Sequence, residues 1–370
     1  MTALSVEHDC APAAVEWDAL ADRLGASPFL RRDWFALWWH AFGTGTLEVV
    51  CASRAGRLAG VVPVVRQYGT LRSPTNAHTP LFGALAEDAV VAATLAEDLL
   101  GRGSRHVMLA YVGSTDPTLP AIRRAAAAAG YRAVERTIMR SPYLDITGDL
   151  GAYYATRRPR FLADLRRRRR RLDECGAVTV SVGRTAALLD DALVLEARGW
   201  KARRKTAIVE RARVRGFYAD VARWAAAQGT LRLLFLCLDC QAIAFLLGLE
   251  EGGTLYLLKG GYDPSFARFS PGQLVLQEAI AYAFDAGLRR VELLGADEPY
   301  KLAWTTTTRE IRVLHAFRPS VLGVLGWVME GHARPLLLRV HADRLLRPMR
   351  DRILARLSDF RRVRGRIPWE

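Results

Sequence analysis

Lysine is nearly missing from this 370-residue chain: Lys201, Lys205, Lys259 and Lys301 are the only four, although lysine and arginine together number 53. Arginine therefore carries the positive charge, and each lysine that is present stands out. Cysteine is sparse too. Cys10, Cys51, Cys175, Cys237 and Cys240 form an odd, scattered set, which excludes a disulfide framework and suits a reducing compartment. No stretch reaches the roughly 18 uninterrupted apolar residues of a membrane span. MTALSVEHDCAPAAVEWDAL is acidic and lacks the basic-then-apolar pattern of a secretory leader, so the expected place is the cytoplasm, in solution or peripherally on the inner face of the membrane. Histidines 8, 40, 78, 106, 315, 332 and 341 are dispersed, and no His/Cys/acid group has metal-ligand spacing. No metal is expected. Cys237-Leu-Asp-Cys240 has no second pair and no nearby histidine, so it reads as a hairpin turn with incidental cysteines.

A hydrophobic content of 51% with 25% charged residues belongs to a globular protein, long enough for two domains and a substantial core. The net charge is +15. Residues 157–171 hold nine Arg and one Asp, and residues 331–370 hold eleven Arg against four acids. These surpluses of 8 and 7 account for the whole. An anionic partner is implied, whether a lipid surface, tRNA or a phosphorylated coenzyme; DNA is not among those it suggests.

Trp34, Phe35, Trp38, Trp39 and Phe42 recur at three- and four-residue steps and predict one apolar helix face. Residues 47–53 and 58–65 predict a hairpin, and 71–83 an irregular segment carrying Asn76 and His78, candidates for contact with substrate. A second hairpin is predicted over 231–249. Gly103-x-Arg105-x-Val107-x-Leu109 matches Gly287-x-Arg289-x-Val291-x-Leu293. The differences 231 − 47 and 291 − 107 both equal 184, so the chain reads as two copies of one α/β unit. Between them the arginine run 166–171 lies on a helix with Phe161, Leu165 and Leu172. It reads either as a solvated face or as a phosphate-binding edge of the cleft between domains. Beyond Phe317, an apolar stretch to Met329 and Arg-rich segments read either as a membrane-surface tail or as helices packed on the core.

The stretch 256–304 organises the second copy. Tyr256-Leu257-Leu258 predicts a buried strand opening at Lys259-Gly260-Gly261 into a turn. Ser270-Pro271-Gly272-Gln273 predicts a helix start, with Ser270 at the N-cap and Pro271 first in the helix. Gly287 ends that helix, 291–294 is the next strand, and a polar loop leads to Tyr300-Lys301. A first turn without acids leaves N–H groups and a positive dipole end for an anion. At offset 184 the same positions of the first copy are Ala86-Glu87-Asp88-Ala89, whose acids repel phosphate. Only the second copy is expected to bind one.

The turn Gly261-Tyr262-Asp263-Pro264, the helix start Ser270-Pro271-Gly272 and the ending Gly295-x-x-x-x-Tyr300-Lys301-x-x-Trp304 resemble an acetyltransferase domain of the GNAT superfamily, of the CelD/BcsL type related to the Fem peptidyltransferases. Weaker likeness at Trp17, the Trp34/Trp38/Phe42 helix and Gly199-Trp200-Lys201 extends the resemblance over residues 16–318. It implies an α/β (α+β) fold of two tandem GNAT-like domains with mixed, largely antiparallel sheets: a degenerate domain over 1–150, an acyl-CoA-binding domain over 151–318 and a basic helical tail over 319–370. It further implies transfer of an acyl group from acyl-CoA or acetyl-CoA to an amine of a cell-envelope sugar or lipid, such as a sphingoid base. In that chemistry Asp297 or Glu292 takes a proton from the amine, Tyr300 supplies one to the thiolate, and Lys301 holds an anionic group. Arg268, Ser270, Gly272 and Gln273 are the expected coenzyme contacts. Lys259 and Lys201 line the pocket. Two alternatives stay open, a Fem-type aminoacyltransferase using aminoacyl-tRNA and a catalytically dead scaffold at the membrane.

Overall fold

The computed structural model describes residues 2–8, 14–198 and 211–333. Cys10, the Gly199-Trp200-Lys201 motif with Lys205, and the arginine-rich sequence past residue 333 lie outside the described residues.

Thirteen described strands run as β1 Thr2–Glu7, β2 Thr46–Arg54, β3 Arg57–Gln67, β4 Thr70–Arg72, β5 Leu85–Ala86, β6 His106–Gly113, β7 Arg132–Asp145, β8 Val178–Gly183, β9 Leu231–Leu238, β10 Gln241–Glu251, β11 Thr254–Tyr262, β12 Arg290–Glu292 and β13 Thr308–Phe317. Twelve of them follow one another across a single sheet as β1-β2-β3-β4-β6-β13-β7-β12-β11-β10-β9-β8, with β5 beside β3. The repeat is visible in the register. Leu47 pairs with Val65 and Leu231 with Leu249. Thr70 pairs with His106 and Thr254 with Arg290. Every one of these pairs is related by the offset of 184 read from the sequence.

The strand order reads the same from both ends once each strand is replaced by its counterpart, and its centre holds an exchange. β13, from the end of the second copy, lies between β6 and β7 of the first. The far end of β7, at Tyr143, Leu144 and Asp145, pairs with β12 of the second. The join near residue 150 is thus a boundary of sequence, while the sheet runs across it.

Apolar side chains also cross it. Phe29, Trp34 and Trp38 of the first copy sit in one cluster with Leu193, Phe217, Val221 and Phe245 of the second. The aromatic helix Arg32–Phe42 is core, as its periodicity predicts, but the core it joins is shared. Three such rings, at 150–250 Å² each and ~25 cal/mol per Å², represent roughly 11–19 kcal/mol of apolar burial as an upper bound.

Several boundaries differ from the sequence reading. Lys259-Gly260-Gly261 is strand, because β11 continues to Tyr262 against β10. Both positions are tight: a Cβ at Gly260 would press on Leu246 Cδ2 at 2.7 Å, and one at Gly261 would meet the Phe245 ring at 2.8 Å and Glu196 Cα at 3.3 Å. β12 stops at Glu292 because Leu294 turns into the left-handed region at φ 50°. Cys237 and Cys240 are free: Cys237 lies near the end of β9 and Cys240 within the β9–β10 hairpin turn, where Leu238 pairs with Gln241.

Candidate active site

The helix Pro271–Asp285 begins where its sequence predicts, but not by the predicted cap. Ser270 is left-handed (φ 52°, ψ 52°) and its hydroxyl makes no capping bond. Instead Arg168 Nη1, from the arginine helix Pro159–Asp173, donates to Ser270 Oγ at 2.8 Å and to the Arg268 carbonyl at 2.9 Å. Asp164, one turn back, accepts from Arg168 Nε at 2.6 Å. Hydrogen bonds first from Arg168 and then from Arg167 hold the Asp164 carboxyl below its usual range. The helix tip therefore carries a braced guanidinium in place of a capping acid. Arg268 lies exposed beside it, over the Phe269 ring, and Gly272 faces the ring of Tyr262.

The first copy does the opposite. Its helix Ala89–Gly101 is capped by Asp88, whose carboxylate accepts from the N–H groups of Val90 and Val91 and pairs with Arg54 at 2.7 Å. Those bonds, Arg54 foremost, pull the carboxyl down to about 2. The donors a phosphate would need are already taken by a fixed negative charge.

Three expected site residues turn out to hold the scaffold. Lys301 is buried, and its ammonium donates to the Leu294 carbonyl at 2.6 Å and the Ala296 carbonyl at 3.1 Å, with Glu298 at 2.7 Å. Three donors meet three acceptors, so Lys301 pins the 294–298 loop and has none left for a substrate anion. Gln273 is likewise engaged: its Nε2 donates to the Tyr300 carbonyl at 3.0 Å and its Oε1 accepts from Trp304 Nε1 at 2.7 Å. The Trp304 carbonyl in turn accepts from Tyr153. The Tyr-Lys-x-x-Trp ending is thus the clamp that fixes the helix tip. Glu292 is buried, bonded to Arg309 and 3.7 Å from Arg290, with Oε2 unpartnered. Burial first, against the pull of Arg309, raises its carboxyl above the usual range.

Tyr300 is half exposed beside the tip. Burial and then Glu298 push its phenol up to about 12. That is well above an ordinary thiol at ~8.5, so the phenol keeps its proton and is available as a hydrogen-bond donor. Asp297 lies partly exposed in the loop before it.

The parallel ladder of β11 and β12 ends at Tyr256 and Glu292. Two residues on, Leu258 has no partner in the β10 register, which jumps from Leu257–Gly248 to Lys259–Leu247. This bulge flips the alternation. Leu255 and Leu257 face the core under helix Pro271–Asp285, whereas Lys259 turns to the other face, 5.2 Å above the Tyr218 ring. His78 of the first copy meets it there. Its Nδ1 lies 3.2 Å from Tyr218 Oη, and its ring stacks on Phe42 at 5.6 Å. Asn76 Oδ1 accepts from the His78 N–H at 2.8 Å, shaping the loop that presents the ring. Burial, then Lys259 and Arg211, push His78 down to about 4 despite Glu196. Burial holds the Tyr218 phenol far above its usual value. His78, Asn76 and Lys259 are thus brought together, whereas Lys201 lies outside the described residues. Arg168 and Tyr218 were missed as individuals. The spacing from Asp164 marks Arg167 at i, i+3 and Arg168 at i, i+4 as its partners, and nothing local marks Tyr218.

Among the described residues no group of His, Cys, Asp or Glu could hold a metal ion. Residues 159–302 match the family model described as an acetyltransferase (GNAT) domain. None of the curated proteins matches the chain in sequence. Among solved structures, FemX is similar at a TM-score of 0.58 and 12% identity, over 84% of this chain and 96% of its own. The C-terminal domain of a putative lysylphosphatidylglycerol synthetase from Agrobacterium fabrum gives 0.53 and 14%, over 87% and 97%. L-PGS from Bacillus licheniformis gives 0.53 and 12%, over 88% and 98%. At such identities the likeness is one of fold.

Proposed function

We propose that this chain, whose residues 159–302 match the acetyltransferase (GNAT) domain model, transfers an acyl group from acyl-CoA or acetyl-CoA to an amine. The observation that carries this reading is the contrast between the two helix tips. One is filled by Asp88, while the other is free of acids and flanked by Arg168 and Arg268. A pyrophosphate is stabilised at the second by main-chain N–H groups, the helix dipole and two guanidinium groups, and is repelled at the first.

Acyl transfer needs a polarised carbonyl, a neutral amine and a stabilised thiolate. Leu258 has no register partner in either ladder, and its main-chain N–H at the bulge is the candidate donor for the thioester carbonyl. The acceptor lies on the Lys259 face, between the copies. Burial first, then Lys259 and Arg211, lowers the pKa of His78, and the same surroundings disfavour an ammonium bound there, leaving the nucleophilic free amine. The amine passes its proton to water or to Asp297, and Tyr300 donates a hydrogen bond to the departing sulfur. Glu292, at the end of the β11–β12 ladder and held by Arg309 and Arg290, serves better as a brace than as a base. The acceptor class is a cell-envelope amine, a sugar or a lipid such as a sphingoid base, reached by a protein peripheral to the inner membrane face.

A second reading, aminoacyl transfer from tRNA, is favoured by the likeness to FemX and by Arg166, Arg167, Arg170 and Arg171, which stay exposed along one helix. A thermal-shift comparison separates the two. Stabilisation by coenzyme A and by acyl-CoA supports the first; stabilisation by tRNA alone refutes it in favour of the second.

A further inference from the structure

The helix Val321–Val328 is built inside out. In a helix covering its own core the large apolar residues face inward. Here the inward positions are Gly323, Gly326, Trp327 and Glu330. A Cβ at Gly326 would stand 2.7 Å from the Phe317 ring, and one at Gly323 would overlap the Arg318 carbonyl at 2.0 Å. Trp327 lies under Arg132, and Glu330 pairs with Arg136 at 3.0 Å. The large aliphatic residues face out: Val321 is 78% exposed, Leu322 69%, Leu325 56%, Met329 53% and Val328 39%. At ~100° per residue they fall within an arc of about 120°. The glycines let the helix sit close on the sheet, so its anchoring uses none of this stripe.

We infer that this stripe is the site at which the protein docks on an anionic lipid surface. Protein-binding patches are enriched in aromatic and arginine anchors, whereas the exposed face here carries only Val, Leu and Met. Charge complementarity identifies the occupant. The stripe is followed directly by residues 334–370, with eleven arginines against four acids, in a chain of net charge +15. Apolar side chains at the level of the acyl boundary, flanked by arginine at the headgroups, are the pattern of an interfacial helix. Among the described residues no helix is long and apolar enough to cross a membrane, and a stripe lying in the surface needs none. This inference goes beyond acyl transfer and does not depend on it.

The test is co-sedimentation of the full chain with phosphatidylcholine vesicles, with and without phosphatidylglycerol, at about 0.1 M and about 1 M salt, for the wild type and for Leu322→Glu/Leu325→Glu. The wild type is expected to bind the anionic vesicles, more weakly at high salt, and the variant at least about tenfold less while its coenzyme A thermal shift is unchanged. Equal binding by both proteins, or no preference of the wild type for phosphatidylglycerol, overturns the inference. So does a wild-type dimer that the variant dissolves, because the stripe then faces a second copy. A variant with a lowered melting temperature beside a wild type that ignores vesicles also overturns it, because the chain's own C-terminal segment then covers the stripe. Loss of the coenzyme A shift in the wild type sinks acyl-CoA transfer and leaves the docking result standing.

Discussion

Replacing Gly272 with aspartate should convert the second helix tip into a likeness of the first. The position tolerates the atoms: its φ is not left-handed, and a Cβ would stand 3.3 Å from Tyr262 Cδ1, at the edge of a ring that can yield slightly. A carboxylate in the first turn favours the helix by ~0.3–1 kcal/mol, so the free protein should melt no lower than the wild type. Bound phosphate feels the reverse. Two unit charges about 4 Å apart at an effective dielectric near 20 repel by ~4 kcal/mol, and screening at a solvent-open tip leaves about 1–2 kcal/mol. Calorimetric titration with coenzyme A should show a Kd raised roughly 5- to 30-fold. Gly272→Ala carries the same Cβ without the charge and should keep most of the affinity. In about 1 M salt the two variants should converge. If alanine and aspartate weaken binding equally, the effect is steric; if neither does, the anion seat is elsewhere and the assignment fails.

Lys301→Met should cost about 2–4 kcal/mol in urea unfolding, because two carbonyls and Glu298 lose one buried partner; unchanged stability with a raised KM would instead restore Lys301 as a substrate contact. For His78 the direction follows from linkage. Its folded pKa of about 4 lies below the ordinary 6.5, so the unfolded chain binds more protons between those values and stability falls as pH drops through that window, by at most about 3 kcal/mol. His78→Gln should flatten that part of the stability–pH curve, and an unaltered slope would mean that the ring is not held neutral by its surroundings.

The repeat was legible because hairpins and the Gly-x-Arg-x-Val-x-Leu run are local patterns, and their offset survives in the ladder registers. The helix at Pro271 was legible for the same reason. What was hidden is what depends on distant chain. Lys259-Gly260-Gly261 looks like a turn by composition, yet it is strand, with Phe245 and Glu196 pressing close on Gly261. Lys301 and Gln273 have the chemistry of ligand contacts, and only the fold shows their polar atoms spent on carbonyls and an indole. The partnership of His78 with Tyr218 spans 140 residues, and no periodicity encodes it.

The swap of final strands binds the fate of the two copies. A polypeptide cut near residue 150 would strand β6 and β12 each without the neighbour that completes it. The earlier copy, though its own tip is closed to phosphate, therefore cannot be shed without unmaking the later one. It persists as a structural creditor of its sibling.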